Sequence, residues 1–235
     1  MSSSPPGHRP GLFVTGTDTG VGKTAVCRAL LRLARRRGRR AIPFKPAETG
    51  RPSHAPAGDA DHLWEAAGRP VPRDAVCLYA LVDPVAPAVA AAAAGVTIAL
   101  DAIADRAAFL AAAGDTLIVE SAGGLLVPYA PGVTGADIAA RLGLAVLVVA
   151  RAALGTINHT ALTIAELRRR SLPIAGIVLV ETTPEPTPDR PTNAAAIAEL
   201  TGIRPLGTLP FITPMTTDTL TDALVQSIDV APLLA

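Results

Sequence analysis

Short apolar runs alternate along the chain with longer segments that have the periodicity of amphipathic helices. The apolar runs predict strands at residues 12–15, 41–44, 116–120, 145–150, 174–180 and 205–209. The segments between them predict helices at residues 25–37, 60–67, 85–94, 98–113, 137–142, 156–170 and 192–200. Apolar strands that alternate with helices form parallel sheets covered on both faces, so the pattern predicts an α/β fold with three layers and a mainly parallel sheet.

The alternation continues to the end of the 235-residue chain without a linker, which predicts a single domain over residues 11–235. Residues 1–10 are rich in Ser, Pro and Gly and have no apolar segment typical of a signal peptide, so we expect a flexible tail. The alanine run at residues 90–94 is far too short to cross a membrane. A cytoplasmic location and no membrane partner are therefore expected.

Composition limits the partners that the chain can bind. Apolar residues make up 49% of the chain and aromatic residues 3%, so the core must consist of Ala, Val, Leu and Ile. The net charge of +1 provides no general attraction to nucleic acid or to a membrane surface. We interpret the arginines between Arg28 and Arg40 as a solvated helix face rather than a nucleic-acid site. Cys27 and Cys77 do not have the spacing of a metal or disulfide framework.

A glycine-rich loop joins the first predicted strand to the first predicted helix and ends in Gly-Lys-Thr. This strand–loop–helix context is typical of a phosphate-binding loop, whose backbone N–H groups wrap a polyphosphate at a helix N-terminus. Lys23 can reach the β- and γ-phosphates, and the Thr24 hydroxyl can ligate Mg²⁺. The predicted nucleotide-binding residues are Gly16, Thr17, Asp18, Thr19, Gly20, Val21, Gly22, Lys23 and Thr24.

Polar residues at the carboxyl ends of the predicted strands are the next candidates, because ligands of such sheets bind there. Lys45 can face the γ-phosphate, although an ordinary surface lysine is an equal alternative. Glu120 ends an apolar strand, which is the usual place for a carboxylate that binds Mg²⁺. Of Asp59 and Asp61, one is expected to cap a helix and the other to complete a Mg²⁺ shell with Thr24 and Glu120.

Two further segments are candidates for binding a substrate. Ala122, Gly123 and Gly124 follow Glu120, and the glycines allow a substrate to approach the backbone closely. The start of another predicted helix can bind an anion through its free N–H groups, or it can be a simple capped helix start. Its residues are Gly155, Thr156, Ile157 and Asn158.

In combination these motifs resemble those of the dethiobiotin synthetases. The matching residues follow in the family's order and spacing at 14–19 with 22–24, 45–46 with 49–50, 59–60, 119–120 with 122–124, and 154–159. The resemblance implies a P-loop NTPase fold and an ATP-dependent cyclo-ligase. Such an enzyme converts diaminopelargonic acid and CO₂ into dethiobiotin through a carbamate and a carbamic-phosphoric anhydride, and it releases ADP and phosphate.

The resemblance also implies roles for individual residues. Lys23, Lys45 and Thr19 would be catalytic, and Thr24, Asp59 and Glu120 would hold Mg²⁺. The carbamate and phosphate region would be lined by Thr19, Lys45, Thr49, Ala122, Gly123 and Gly124. The helix start at 155–158 of a partner subunit would bind the substrate's carboxylate, which implies a homodimer. The base pocket would involve Glu181, Leu209, Pro210 and Phe211.

Three positions depart from the family pattern. Gly20 stands where some members have an acidic residue, and Ser121 replaces a glycine. If the backbone at Ser121 requires a positive φ, the serine costs stability. Glu181 stands near the position of a base-reading asparagine, which leaves the preferred nucleoside triphosphate open.

Two other kinds of P-loop protein are alternatives. A partition or MinD-like ATPase should have a second lysine in the loop, where this chain has Asp18, and should lack the Lys45-Pro46 segment. Another amidoligase-like enzyme would carry a glutaminase domain with a nucleophilic cysteine, and the chain has no room for one. The synthetase interpretation is therefore favoured.

Overall fold

The computed structural model describes residues 11–51, 57–185 and 189–234, so the predicted tail at residues 1–10 lies outside the described residues. The described strands are β1 Gly11–Gly16, β2 Ala41–Glu48, β3 Cys77–Ala80, β4 Thr116–Gly124, β5 Pro128–Ala130, β6 Val133–Thr134, β7 Ala145–Arg151, β8 Ile174–Val180 and β9 Gly207–Leu209. Seven of them form one sheet in the order β3-β2-β4-β1-β7-β8-β9. Every neighbouring pair in this sheet is parallel, while β5 and β6 form a small antiparallel ribbon.

Helices cover both faces of the sheet. They are α1 Lys23–Arg36, α2 Asp59–Ala66, α3 Arg73–Val76, α4 Pro87–Ala93, α5 Leu100–Ala111, α6 Gly135–Leu142, α7 Thr156–Arg169, α8 Arg190–Thr201 and α9 Thr217–Ser227, followed by the 3₁₀ turn Ala231–Leu233. None of the helices within the described ranges is long and apolar enough to span a membrane. The predicted three-layer α/β fold is confirmed.

The central strands contribute alternate side chains to two separate cores. In β1, Phe13 packs with residues of α5, α6, α7 and α8, whereas Leu12 and Val14 pack on the opposite face with residues of α1, α2 and α9. All three side chains are buried. Because strands that are covered on both faces have few positions for polar side chains, polar residues accumulate where the strands end. The candidate site lies at these carboxyl ends.

The six predicted strands and seven predicted helices are all present, with ends that differ by a few residues. The sequence pattern did not predict β3, the ribbon, α3 or α9. Strand β3 has only four residues at the sheet edge, and none of them is fully buried. Helix α9 has the sequence TDTLTDALVQS, in which Leu220 and Leu224 are buried and most of the other residues are polar. Such short or polar segments carry too weak an apolar periodicity to be recognised.

The interpretation of the arginines on α1 as a solvated face is correct for only part of the set. Arg35 and Arg37 are exposed, as expected. Arg28 and Arg32 are half-buried, because α9 packs beside them. Arg28 donates a hydrogen bond to the Thr217 hydroxyl at 3.0 Å. The basic face of α1 therefore pairs partly with a helix of its own chain.

Candidate active site

The glycine-rich loop connects the carboxyl end of β1 to the first turn of α1. Gly22 immediately precedes the helix with φ +98°, and Gly20 has φ +70°. Both values lie in the left-handed region that favours glycine, so the departure at Gly20 suits the backbone. The Thr17 N–H donates to the carbonyl of Val149 at 3.0 Å and ties the loop to β7. The free N–H groups of the first turn of α1 are thereby held beside the carboxyl ends of the central strands.

Lys23 is the first residue of α1 and is 7% exposed. Its Nζ donates a hydrogen bond to the carbonyl oxygen of Asp18 at 3.0 Å, across the loop. Burial lowers the pKa of Lys23, and the nearby ammonium of Lys45 lowers it further, against the opposing effect of Glu120. An anion bound in the loop would offset the effect of burial and would stabilise the charged form of Lys23.

A buried ion cluster lies beside the loop, one residue beyond the point where the pairing of β2 with β4 ends, at Phe44 and Val119. The Lys45 Nζ lies 2.6 Å from Glu120 Oε1 and 2.8 Å from Asp59 Oδ2. The Thr24 hydroxyl donates to the same Glu120 Oε1 at 2.9 Å. Strands β2 and β4 are neighbours in the parallel sheet, which brings the two strand ends together across 75 residues of sequence. The structure thus assembles four of the residues selected from the sequence.

The charges in this cluster determine one another's pKa values. Burial opposes a charged Lys45, but Glu120 and Asp59 outweigh burial and raise the pKa of its ammonium. Burial raises the pKa of Glu120 in spite of Lys45. Burial also acts to raise the pKa of Asp59, but the Lys45 ammonium and its hydrogen bond leave that pKa lowered. Lys45 is therefore a permanent cation near neutral pH, held by two carboxylates.

The same cluster has the donor set that suits Mg²⁺. Glu120 Oε2 is buried and has no hydrogen-bond partner, while Oε1 of the same carboxylate accepts two hydrogen bonds. Across the described ranges no group of three or more His, Cys, Asp or Glu side chains could hold a metal. Mg²⁺ in phosphoryl-transfer sites typically takes one or two carboxylates and completes its shell with phosphates and water. Thr24, Asp59 and the unpartnered oxygen of Glu120 fit that pattern.

A cavity of about 750 Å³ joins the loop to the ion cluster. It extends from Thr49 and Lys45 past the loop to Glu181 and Phe211. The predicted site residues that line it are Thr19, Gly20, Gly22, Lys23, Thr24, Lys45, Thr49, Asp59, Glu120, Ala122, Gly123, Glu181 and Phe211. A cavity of this size can accommodate a nucleotide together with a small substrate.

Other predicted residues lie outside this cavity. Val21 and Leu209 are buried in the core on the α1 face, so their side chains pack rather than line the site. A Cβ at Gly16 would lie 2.5 Å from the carbonyl oxygen of Asp18, a backbone atom that cannot easily move, which explains the glycine. Pro210 does not line either of the two cavities described here. The base-pocket role of Leu209 and Pro210 stays a prediction that rests on their backbone.

A second cavity of about 450 Å³ lies on the other side of the loop. It is lined by Thr17, Asp18, Thr19 and Gly124 of the predicted site and by residues of α7, including Leu162. Leu162 is 63% exposed and Leu126, on the same cavity, is 52% exposed. Thr19, a residue of the loop, lines both cavities, so it borders both the large cavity and this open, apolar surface.

Ser121 and Glu181 are two of the three positions that depart from the family pattern. Ser121 is not among the residues with positive φ, and its buried hydroxyl donates to Thr15 Oγ1 at 3.3 Å. The expected backbone strain at Ser121 is therefore absent. Glu181 Oε2 lies 3.2 Å from Arg190 Nη1 and accepts a hydrogen bond from the Phe211 N–H at 3.4 Å. The carboxylate is thus held in place in the lining of the large cavity.

The helix start at 155–158 has the backbone geometry of an anion site. Gly155 precedes α7 with φ +90°, and no acidic residue occupies the first turn. The Thr156 hydroxyl is buried and lacks a hydrogen-bond partner, while Leu154 is 92% exposed. None of the four predicted residues lines either cavity of this subunit. The helix start is thus formed, but its four residues lie outside the cavity that contains the ion cluster of its own chain.

Two buried residues at the site were not recognised from the sequence. Glu48 ends β2 and lines the large cavity, where its Oε1 accepts the Asp59 N–H at 2.6 Å. The Tyr129 hydroxyl accepts the N–H of Ala122 at 2.6 Å and thereby supports the backbone that follows Glu120. The position of Glu48 at a strand end is a sequence signal that could have found it, whereas nothing in the sequence distinguishes Tyr129 from a core residue.

Comparisons with known proteins identify the relatives of this chain. Residues 10–219 match the family described as "AAA domain". The ATP-dependent dethiobiotin synthetase of Anaeromyxobacter dehalogenans strain 2CP-C is 55% identical over 201 residues, which cover 86% of this chain and 90% of the relative. The chain belongs to the ATP-dependent dethiobiotin synthetase family.

A more distant synthetase of this family, from Bacillus cereus strain B4264, is 39% identical over 201 residues, covering 86% of this chain and 83% of the relative. Among solved structures, a chain of the MinC:MinD cell division protein complex from Aquifex aeolicus matches with a TM-score of 0.55 and 15% identity, covering 92% and 88% of the two chains. At that identity the likeness shows a shared P-loop fold only. The partition-ATPase alternative is not favoured.

Proposed function

We propose that this chain is an ATP-dependent dethiobiotin synthetase, a ligase that forms C–N bonds between CO₂ and the two amines of diaminopelargonic acid. The observation that carries the proposal is the single cavity that joins Lys23 of the phosphate loop to Lys45 of the ion cluster. The reaction brings two anions together, a carbamate and a triphosphate. Two lysines that lie around one cavity supply the positive charge that this approach requires.

Each step of the proposed reaction balances. One amine attacks CO₂, forms an N–C bond and loses a proton, which leaves a carbamate. A carbamate oxygen attacks the γ-phosphorus, and the bond to the β–γ bridging oxygen breaks as ADP departs. The second amine then attacks the carbamoyl carbon, the C–O bond to phosphate breaks, and the ring closes with loss of phosphate and a proton. The substrate supplies both nucleophiles, so catalysis rests on positioning and electrostatics.

The side chains of the cavity have defined roles in this reaction. Lys23 and Lys45 balance the charge on the phosphoryl group and the carbamate, and Thr19 and Thr49 line the space between them. Thr24, Asp59 and Glu120 would hold Mg²⁺, which when bound neutralises charge on the β- and γ-phosphates. Lys45 needs no proton transfer to act, because its raised pKa keeps it charged.

The substrate's carboxylate is proposed to bind at the start of α7 from a second subunit. Three observations support this part: the left-handed Gly155, the unpartnered buried hydroxyl of Thr156, and the absence of this helix start from the cavities of its own subunit. The exposed Leu154 and Leu162 provide apolar surface for a partner copy. The proposed enzyme is therefore a homodimer with sites that span the interface.

The proposal includes two broader expectations. Residues 11–235 would fold as one domain, because the described residues form one large sheet with a core on each face. The location would be the cytoplasm, where ATP and bicarbonate are available. Neither a nucleic acid nor a membrane has a role in the proposed reaction.

The direct test is phosphate release from ATP with Mg²⁺ and bicarbonate, with and without diaminopelargonic acid. Release that depends on the diamine, with dethiobiotin identified by mass spectrometry, is the expected result. Release that is indifferent to the diamine would reject the synthetase function.

The same assay examines the base end of the cavity. Glu181 offers only hydrogen-bond acceptors, so it favours bases with an exocyclic amino group, and we expect UTP to be used about tenfold less well than ATP. Glu181→Gln should reduce this difference, because an amide also donates. An unchanged ATP to UTP ratio in the variant would remove Glu181 from base recognition.

The shared site is tested by complementation between Lys45→Met and Asn158→Glu, assayed at a diamine concentration well below the raised KM of Asn158→Glu, where each variant alone should be nearly inactive. In a mixed dimer, one site takes Lys45 from one subunit and the intact α7 start from the other. Mixing the subunits should therefore restore about a quarter of the wild-type activity, as random pairing of a symmetric dimer requires. No recovery after verified subunit exchange would place the complete site within one chain.

A further inference from the structure

Glu48 is a buried carboxylate whose role the proposed reaction leaves open. It is 5% exposed, ends β2 and lies three residues after Lys45. Its Oε1 accepts a hydrogen bond from the backbone N–H of Asp59 at 2.6 Å. Asp59 is the first residue of α2, so Glu48 satisfies one of the free N–H groups at the start of that helix.

The helix start is shaped around this contact. The N-cap position is Gly58, which has no side chain that could cap the helix. A Cβ at Gly58 would collide with Glu48 Oε1, so a larger residue there would displace the carboxylate from the helix start. The Asp61 carboxylate accepts the Gly58 N–H at 2.8 Å from the other side. Two carboxylates thus hold the backbone on either side of the Cα of Gly58.

This backbone carries the Asp59 carboxylate. Asp59 Oδ2 lies 2.8 Å from Lys45 Nζ, although the side chain is 43% exposed. A half-exposed side chain at a helix end would lose its position if the first turn frayed. The hydrogen bond from the Asp59 N–H to Glu48 opposes this fraying. It thereby holds the Asp59 carboxylate in place, as a metal ligand requires.

We propose that Glu48 is a positioning residue that fixes the Asp59 carboxylate at the metal site by capping α2 from the end of β2. The inference rests on the role of Asp59 in Mg²⁺ binding given under the proposed function. Glu48 acts through the backbone of Asp59 and requires no contact with the substrate. Partners that orient a metal ligand typically change metal affinity by about 10- to 100-fold when removed.

The experiment measures Mn²⁺ binding by electron paramagnetic resonance in the presence of ADP, which requires no turnover. Glu48→Ala should weaken Mn²⁺ binding about tenfold or more. Glu48→Gln retains an acceptor oxygen for the Asp59 N–H and should recover most of the affinity. Glu48→Asp, which is one methylene too short to maintain the contact, should also weaken binding, and it decides the question if the alanine variant does not fold.

Asp137 provides a matched control. Its carboxylate caps another helix, α6, by accepting the Thr134 N–H at 2.8 Å, and no part of it lines either cavity. Asp137→Ala should lower the melting temperature at least as much as Glu48→Ala, because it also removes the ion pair with Arg170 at 2.8 Å. Its Mn²⁺ affinity should equal that of the wild type. Equal weakening in both variants would show general destabilisation and would overturn the proposal.

A double-mutant cycle with Asp59→Asn identifies the path of the effect. In the Asp59→Asn background, Glu48→Ala should cause no further loss of Mn²⁺ affinity. The same loss in both backgrounds would overturn the proposal, and so would a Glu48→Ala variant that changes only the KM for the diamine. If Asp59→Asn itself leaves Mn²⁺ binding unchanged, both the metal assignment and this inference are wrong. Failure of the synthetase function would appear separately, as wild-type phosphate release that ignores the diamine.

Discussion

Helices α1 and α7 begin in the same way but have different surroundings. Each follows a buried strand, and the two strands, β1 and β7, are neighbours in the sheet. Gly22 precedes α1 with φ +98°, and Gly155 precedes α7 with φ +90°. Neither first turn contains an acidic residue. The backbone alone therefore makes both helix starts suitable for an anion.

The side chains around the two helix starts differ. The α1 start has a buried lysine, Lys23, and its Thr24 hydroxyl is hydrogen-bonded to Glu120 from β4. The α7 start has a buried Thr156 hydroxyl without a partner and an exposed Asn158. Neighbouring strands complete the first site within the chain, whereas the second is proposed to act together with a second subunit. The first suits a multiply charged phosphate, and the second suits a single carboxylate.

The largest expected effect is at the α1 start. Lys23→Met should reduce the kcat of diamine-dependent phosphate release about 1000-fold, because a charge that stabilises the transferring phosphoryl group is lost. The melting temperature should not fall, since the substitution replaces a desolvated ammonium by an apolar chain of similar length. A loss of kcat smaller than about tenfold would show that phosphate transfer does not depend on Lys23.

Replacing Gly22 or Gly155 by alanine distinguishes the cost of an unfavourable φ from the cost of a steric collision. Gly22→Ala should cost about 3 kcal/mol of unfolding free energy, because a Cβ there has an unfavourable φ and would lie 2.7 Å from the Val180 Cγ1. Gly155→Ala should cost about 1 kcal/mol, since the nearest atom, His159 Cε1, is 3.8 Å away and only the φ is strained. Urea unfolding of both variants measures the difference. Equal costs would mean that the loop is free to move away from Val180.

Asn158→Glu tests the α7 start without damage to the fold. A carboxylate in the first turn favours the helix but repels the substrate's carboxylate, so the KM for the diamine should rise about 10- to 100-fold. The kcat and the KM for ATP should stay near their wild-type values. Asn158→Gln is the neutral control and should behave as wild type. A rise in the KM for ATP instead would indicate that α7 borders the nucleotide.

The smallest expected effect is on stability and comes from the ion pairs of Asp61 in helix α2, which lies beside the α1 site. Asp61 binds Arg73 and Arg51, and the hydrogen bond from Arg73 lowers its pKa to about 2. A carboxyl with a lowered pKa stabilises the folded state above its unfolded pKa, and this contribution disappears as the pH falls from about 4 towards 2. Asp61→Asn should cost about 1 kcal/mol at pH 6 after allowance for solvent screening. Thermal unfolding against pH should show the difference from wild type closing below about pH 3, and a constant difference would contradict the ion pairs.

Much of the fold and part of the site follow from local sequence patterns. The alternation of apolar strands and helices predicted six strands, and the glycine-rich loop appeared between the first strand and helix where it was expected. Lys45 and Glu120 were recognised as strand-end residues. Their approach to 2.6 Å follows because β2 and β4 are parallel neighbours. The pattern could not distinguish a surface lysine from this ion pair, since pairing depends on strand order.

The features that were missed depend on contacts between distant segments. Glu48 lies 11 residues before Asp59 in the sequence, and its cap on the Asp59 N–H becomes visible only in the folded chain. Helix α9 is mostly polar in sequence. Its Leu220 and Leu224 pack into the core on the α1 face, and Thr221 is also buried, which becomes visible only in the folded chain. The concern about Ser121 arose from a family glycine and not from this backbone, which has an ordinary φ there.

By itself, the sequence determined the layer order of the fold, the phosphate-binding loop and the family, because periodicity, glycine spacing and short motifs are local properties of the chain. The tertiary structure decided which charges meet. It placed Lys45 between Asp59 and Glu120, left Glu120 Oε2 without a partner, capped α2 with Glu48 and left residues 155–158 outside the cavity that contains the ion cluster. These outcomes depend on strand order and on burial, which raise or lower the cost of each charge only after the chain has folded.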